Sequence, residues 1–166
     1  MNRKMMLLQL ALAGSVFAQT LAVPERAPAI GPNHKLACAA GTRQIGGPKS
    51  DLGAYACLKS TVDHLRIFHG PMISFDDGGH VVAVGQMEEG SRSGTWKYFD
   101  ASGVQTGATD FRQGDYHGRR VEFLPNGKLK FEENWVMGKR QGPQKKFDAA
   151  GLVTITEYRD DRPVTK

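Results

Sequence analysis

Four glycines, Gly70, Gly94, Gly118 and Gly142, stand 24 residues apart, and the segments between them superimpose without a gap. Five positions after each comes a phenylalanine: Phe75, Phe99, Phe123 and Phe147. Nine positions after each comes a second glycine: Gly79, Gly103, Gly127 and Gly151. A fixed period of this length is the signature of an array, in which one small unit is stacked repeatedly because it cannot bury its own apolar face. Arrays of this kind present surfaces rather than a catalytic cleft, so the period restricts function before any motif is weighed.

The units cover residues 70–93, 94–117, 118–141 and 142 onward. Gly94-Thr95-Trp96-Lys97-Tyr98-Phe99 is rich in β-formers and breaks at Asp100-Ala101-Ser102-Gly103. Pro125-Asn126-Gly127 breaks the third unit in the same place, and Asn-Gly is a strong hairpin-turn signal. The returning arm over residues 128–135 alternates, placing Leu129, Phe131 and Trp135 on one face and Glu132 on the other. Helical periodicity is poor, so the expected fold is all-β: an elongated array of antiparallel β-hairpins, with Gly90, Gly114 and Gly138 in the turns to the next unit. Hairpins laid side by side bring equivalent phenylalanines together as a ladder on one face. The last unit departs, because Tyr158 arrives one position earlier than Phe111 and Trp135 do. Its charged tail, Arg159-Asp160-Asp161-Arg162, reads as a cap that must not template further strand pairing.

The N-terminus reads as an export signal. Asn2-Arg3-Lys4 supplies the positive end, residues 5–17 the apolar stretch, and Val16-Phe17-Ala18 the small residues of a cleavage site near Ala18. The apolar core is too short to span a bilayer as a mature helix, and no cysteine follows it to carry a lipid anchor. Residues 19–35 are Pro/Ala-rich, with Pro24, Pro28 and Pro32, and read as a tether; residues 36–65 form a lead-in, and residues 66–166 the four units. The lead-in contains the only cysteines, Cys38 and Cys57, 19 residues apart. In an exported chain this minimal even count reads as one disulfide, worth about 3 kcal/mol by loop-closure entropy. Half of a metal site would need a second ligand pair, and a reactive thiol would need an activating neighbourhood.

The formal charge of +5 falls to +3 once Arg3 and Lys4 leave with the signal, which together with export argues against a nucleic-acid partner. The charge is polarised. Residues 60–117 carry four Lys/Arg against eight Asp/Glu, and residues 118–166 carry eleven against seven. Such halves could orient on an anionic surface or stack head to tail, or could simply be solubilising charge.

Candidate chemistry is sparse. His69 and His117 are 48 residues apart, twice the period, and each precedes a unit's first glycine. At four strand spacings they would stand roughly 19 Å apart, too far to share a metal. Adjacent carboxylates such as Glu132-Glu133 point to opposite faces of a strand, so they cannot flank one bond. Asp76, Asp100 and Asp148 recur at one unit position, as turn-forming residues do. No serine sits in a nucleophile elbow and no glycine loop cradles phosphate. The expectation is therefore a non-enzyme with no catalytic residue, no cofactor and no metal. Trp96, Tyr98, Phe111, Tyr116 and Trp135 are either a stacking platform on an open sheet face or packing within a thin sheet. Trp96, Tyr98, Arg119, Arg120 and Glu122 are the candidate interaction surface, expected on one face, for another envelope protein. Lys139, Arg140, Lys145 and Lys146 are the candidate contacts to anionic membrane lipid.

The pattern Gly94-x-Trp96-x-Tyr98-Phe99-Asp100-x-x-Gly103, with Gly138-Lys139-Arg140-Gln141-Gly142 after it, resembles the MORN repeat variant over roughly residues 66–166. The upstream Cys38-Ala39-Ala40-Gly41-Thr42, Cys57 and His69-Gly70-Pro71 are similar to the cysteine-paired lead-in of such arrays in bacterial envelope proteins. The resemblance implies β-hairpin units in an exported, periplasmic or secreted protein. It also brings a label, the antitoxin component of a toxin–antitoxin system, that proteins of this sort often carry (the YwqK-like group). The leading expectation is a protein-interaction or scaffold module, followed by lipid binding through the basic half, with the antitoxin reading third.

Overall fold

A computed structural model describes residues 23–31 and 33–164, so the residues read as an export signal lie outside it. The described regular structure is all-β. The strands are β1 (Thr42–Gly47), β2 (Ala54–Ser60), β3 (Arg66–Phe75), β4 (Val81–Glu88), β5 (Ser91–Phe99) and β6 (Gln105–Arg112). They continue as β7 (Asp115–Phe123), β8 (Leu129–Val136), β9 (Lys139–Arg140), β10 (Gly142–Phe147), β11 (Val153–Arg159) and β12 (Arg162–Pro163). All belong to one antiparallel sheet in which successive strands are neighbours; β8 pairs with both β9 and β10, two pieces of one strand broken at Gln141.

Two kinds of turn alternate. Each unit's inner turn is a four-residue loop closed by its second glycine in the left-handed region, with φ of 82° at Gly79, 77° at Gly103, 78° at Gly127 and 87° at Gly151. The recurring aspartates hold these loops. Asp76, Asp100 and Asp148 each accept a hydrogen bond from the backbone N–H four residues on, and in the third unit Asn126 accepts from Lys128 instead. Units are joined by two-residue turns with positive φ at both positions: Glu89-Gly90, Gln113-Gly114, Met137-Gly138 and Asp160-Asp161. The second residue of each donates its N–H to a carbonyl one strand further back, of Phe68, Arg92, Tyr116 and Arg140 respectively, so each turn curls onto the preceding unit.

The founding glycines of the period also lie at positive φ: 117°, 62°, 110° and 76° at Gly70, Gly94, Gly118 and Gly142. Beside the first three, the register shifts between Ala56 and Leu58, between Val84 and Gln86, and between Thr109 and Phe111. A one-residue shift also accompanies the inner turns. It corrects one expectation. Leu129 pairs with Phe123 while Phe131 pairs with Glu122, so Leu129 faces the phenylalanine side, opposite Phe131 and Trp135.

The phenylalanines lie on one side as expected, but the ladder is uneven. Phe75 and Phe99 share a core with Tyr55, Ile73 and Val81; Phe123 is buried outside it; Phe147 is only half-buried. Residues 23–31 and 33–35 of the stretch read as a tether, with Leu36 after them, instead form a strap across this face. Ala27, Ile30 and Leu36 pack on the core, Ala27 donates its N–H to Gly103, and Arg26 bridges to Val104. Gln105 and Gln44 fasten it, their side-chain oxygens accepting the backbone N–H of Glu25 and of Leu36. Ala27 lies against Gly103 and Pro24 against Gly127. Three strap residues thus span the one unit step from Gly127 to Gly103, because three extended residues at ~3.1 Å cover nearly the ~9.6 Å of two strand spacings.

Cys38 and Cys57 form the disulfide, with Cα atoms 5.6 Å apart, tying the strap's end to β2. The bond belongs to a non-reducing compartment such as an exported protein meets. Replacing both cysteines by serine is expected to lower the unfolding free energy by about 3 kcal/mol, read from the shift in urea midpoint against the oxidised wild type.

Candidate functional site

The face opposite the strap is built from the units' second set of side chains. Its core is Ala83, Trp96 and Phe111, against which Met72, Met87, Tyr98 and Tyr116 pack, all of them from the sheet itself. Trp96 is only 2 % exposed although no second sheet among the described residues covers it. Gly85 explains this: a Cβ there would overlap the indole, so the ring lies down on the neighbouring strand. The indole N–H donates to the Gln86 carbonyl at 3.0 Å, and the Arg92 guanidinium covers the ring 4.8 Å from its centroid.

This arrangement repeats with its partners exchanged. Positions 92 and 96 hold a cation and a ring; one period later, positions 116 and 120 hold a ring and a cation, with Arg120 lying 5.8 Å over Tyr116. Edge-on aromatic contacts link neighbouring strands, Phe111 to Tyr116 at 5.2 Å within one unit and Tyr116 to Trp135 at 5.1 Å across to the next. Arg120 also lies 4.6 Å over Phe131, and Arg140 lies 4.3 Å over Tyr158. Arg120 is held in place by Glu133 at 2.7 Å and Glu122 at 2.8 Å, and Lys130 reaches Glu122 at 3.1 Å. The result is a fixed, half-exposed strip of aromatic rings and guanidinium groups. Burial raises the Tyr98 hydroxyl above its ordinary pKa, so Tyr98 stays neutral and able to donate throughout the physiological range.

The five residues of the candidate interaction surface do not all meet. Tyr98, Arg120 and Glu122 share this face, with Glu122 beside Gly107 in the register that places Tyr98 opposite Gly107. Trp96 is on the same face but buried, so it supports the strip rather than displaying itself. Arg119 points to the strap side, where it pairs with Glu132 at 3.3 Å, as the alternation along β7 requires. The basic residues divide likewise. Lys146 lies opposite Phe131 on the aromatic face, while Lys145 lies opposite Glu132 on the strap face. Arg140 is tied to Asp161 at 3.2 Å, and Lys139 is exposed at the β8–β9 hairpin. These four cations do not converge on one patch.

The junction histidines act as turn supports. His117 Nδ1 accepts the N–H of Met137 at 3.3 Å, and His69 Nδ1 stands 3.4 Å from the N–H of Glu89. Gln141 plays the same part for Asp160 at 3.0 Å. Among the described residues, no three of His, Cys, Asp and Glu are grouped to hold a metal ion. Two features escaped the sequence reading. The strap was hidden by prolines that suggest solvation, although Ala27, Ile30 and Leu36 recur at multiples of three. Pro24, Leu129, Phe147 and Gly151 line an apolar groove of about 350 Å³ beside Val23.

A scan of known protein families finds none that matches this chain, and a search of curated proteins finds no relative.

Two outcomes follow from this geometry. Trp96→Ala should cost about 3–5 kcal/mol of stability, measured by denaturant unfolding, because it empties a buried site. Acid stability should depend on the turn aspartates. The Ser102 hydroxyl and the Val104 N–H hold Asp100 below its ordinary pKa, and the His80 N–H does the same for Asp76. A depressed folded pKa gives stability that is full above the unfolded value of about 3.9 and is lost as pH falls through the lower folded value. Asp100→Asn should therefore flatten the fall in melting temperature measured below about pH 4.

Proposed function

We propose that the protein is an exported, non-catalytic repeat protein that serves as an interaction or scaffold module in the cell envelope, with another envelope protein as partner. The observation that carries this reading is the aromatic and guanidinium strip on the face opposite the strap. Tyr98, Tyr116, Phe131 and Trp135 are partly exposed there, and ion pairs and ring contacts hold Arg120 among them. Tyrosine, tryptophan and arginine dominate interface hot spots because they offer large contact areas with few torsions to freeze. The strip is preorganised, which lowers the cost of binding.

Export to the periplasm is part of the proposal, supported by the signal-like residues 1–18 and by the disulfide. So is membership among MORN repeat variants, supported by the 24-residue unit and its glycine and aromatic positions. The test is crosslinking with mass spectrometry in intact envelopes, comparing wild type with an Arg120→Ala/Trp135→Ala variant. The expected result is loss of one specific crosslinked protein while the variant still unfolds cooperatively. Unchanged crosslinks from a folded variant would show that this face is not the docking surface.

A further inference from the structure

Among the described residues, the C-terminal edge of the sheet is capped over only part of its length. β12 pairs with Tyr158 and Arg159 of β11, and the Val164 N–H donates to the Glu157 carbonyl at 2.8 Å. Among the described residues, no strand pairs with the outer side of residues 153–156. That stretch, Val153-Thr154-Ile155-Thr156, consists of strong β-formers with no charge among them. Val153 and Ile155 are 48 % and 58 % exposed, and the adjoining Leu152 is 71 % exposed. An open apolar edge of this kind is a template for another strand.

The geometry points to a second copy of this chain, paired edge to edge through β11 about a twofold axis at Thr154. Three observations select this occupant and this register. Glu157 directs its carbonyl outward to Val164, and the two-residue period then sends the backbone groups of Val153 and Ile155 outward as well. An antiparallel pairing centred on Thr154 sets Val153 against Ile155 of the second copy, and Ile155 against its Val153. Both are hydrogen-bonded pairs, so all four outward donors and acceptors on each strand are used.

The free length fits as well. The stretch is bounded by the Asp148–Gly151 turn at one end and by β12 at the other, and this register needs residues 152–156 of each copy. Centring on Ile155 would instead require Glu157, whose carbonyl is already occupied.

Side-chain direction gives the third observation. Val153 lies opposite Phe147 and Ile155 opposite Lys145 on the strap face, so a twofold axis normal to the sheet joins four aliphatic side chains on one side. On the other side the two Thr154 residues meet at a non-hydrogen-bonded position, with Cα atoms about 4.5 Å apart.

The contact is small, and each copy brings a half that carries eleven Lys/Arg against seven Asp/Glu. The dimer is therefore weak, and unlike attraction between opposite charges it tightens as salt is added. The test is sedimentation equilibrium on the purified, oxidised protein, together with single-cysteine crosslinking. Wild type should show a monomer–dimer equilibrium whose dissociation constant falls with NaCl. Ile155→Lys should remain monomeric at concentrations where wild type is dimeric.

Thr154→Cys should crosslink to a covalent dimer under mild oxidation. Thr156→Cys should not, since its two copies would stand about 14 Å apart along antiparallel strands, beyond the reach of a disulfide. The Thr154→Cys result decides the matter even if Ile155→Lys misfolds. The pairing is overturned if wild type stays monomeric up to about 1 mM, a free energy of only about 4 kcal/mol. It is also overturned if species larger than a dimer accumulate, or if the two cysteine variants crosslink equally.

Discussion

The described residues form a single β-sheet with two faces and no partner layer, so whatever they bury must be covered from within the sheet or by the segment that precedes it. The two faces meet this demand differently. On one, the strap lies across Phe75 and Phe99, held by Gln44, Gln105 and the disulfide. On the other, Trp96 lies flat over Gly85 and is roofed by Arg92. A glycine on one strand and a cation on the next thus do the work of a second layer. Thin cover of this sort leaves the aromatic rings buried enough to be stable and exposed enough to touch another molecule.

The 24-residue period is the spacing of a pair of strands plus its two turns, and each turn type has its own chemistry. Inner turns use a carboxylate or amide to bind backbone N–H groups and a glycine to reach the left-handed region. Joining turns use two residues of positive φ and fold back onto the preceding strand. His69, His117 and Gln141 stand at one repeated position and serve the joining turns from there. Nothing in that role requires an imidazole, which is why glutamine substitutes for it.

Sequence alone made the architecture legible because glycines with special φ cannot drift: every member of the 24-residue set lies in the left-handed region. The disulfide and the turn aspartates were legible for the same local reason. The misassigned residues all depend on longer-range geometry. Leu129 changes face because a one-residue bulge resets the alternation, and a bulge leaves no distinct mark on the residues around it. Trp96 looked like a displayed ring, since its burial depends on Gly85 in a different unit. Arg119 was grouped with Arg120 by sequence adjacency, which in a strand means opposite faces. The strap was concealed because proline content signals solvation, while its contacts depend on the sheet beneath it.

Differences between units then acquire physical meaning. Moving from Arg92 and Trp96 to Tyr116 and Arg120 reverses the order of cation and ring but keeps them stacked. The stabilising contact is thereby preserved while the surface pattern changes, so the strip can vary in what it presents without loss of the fold. In the fourth unit the position of Trp96 and Arg120 is taken by Gln144, and Arg140 stacks on Tyr158 instead. That unit is also one residue shorter before its joining turn, which falls at Asp160-Asp161 rather than a full period after Met137-Gly138. Asp161 at this turn pairs with Arg140, and β12 follows it over two residues. The fourth unit thus keeps the cation-on-ring contact of the others while its joining turn falls one residue early.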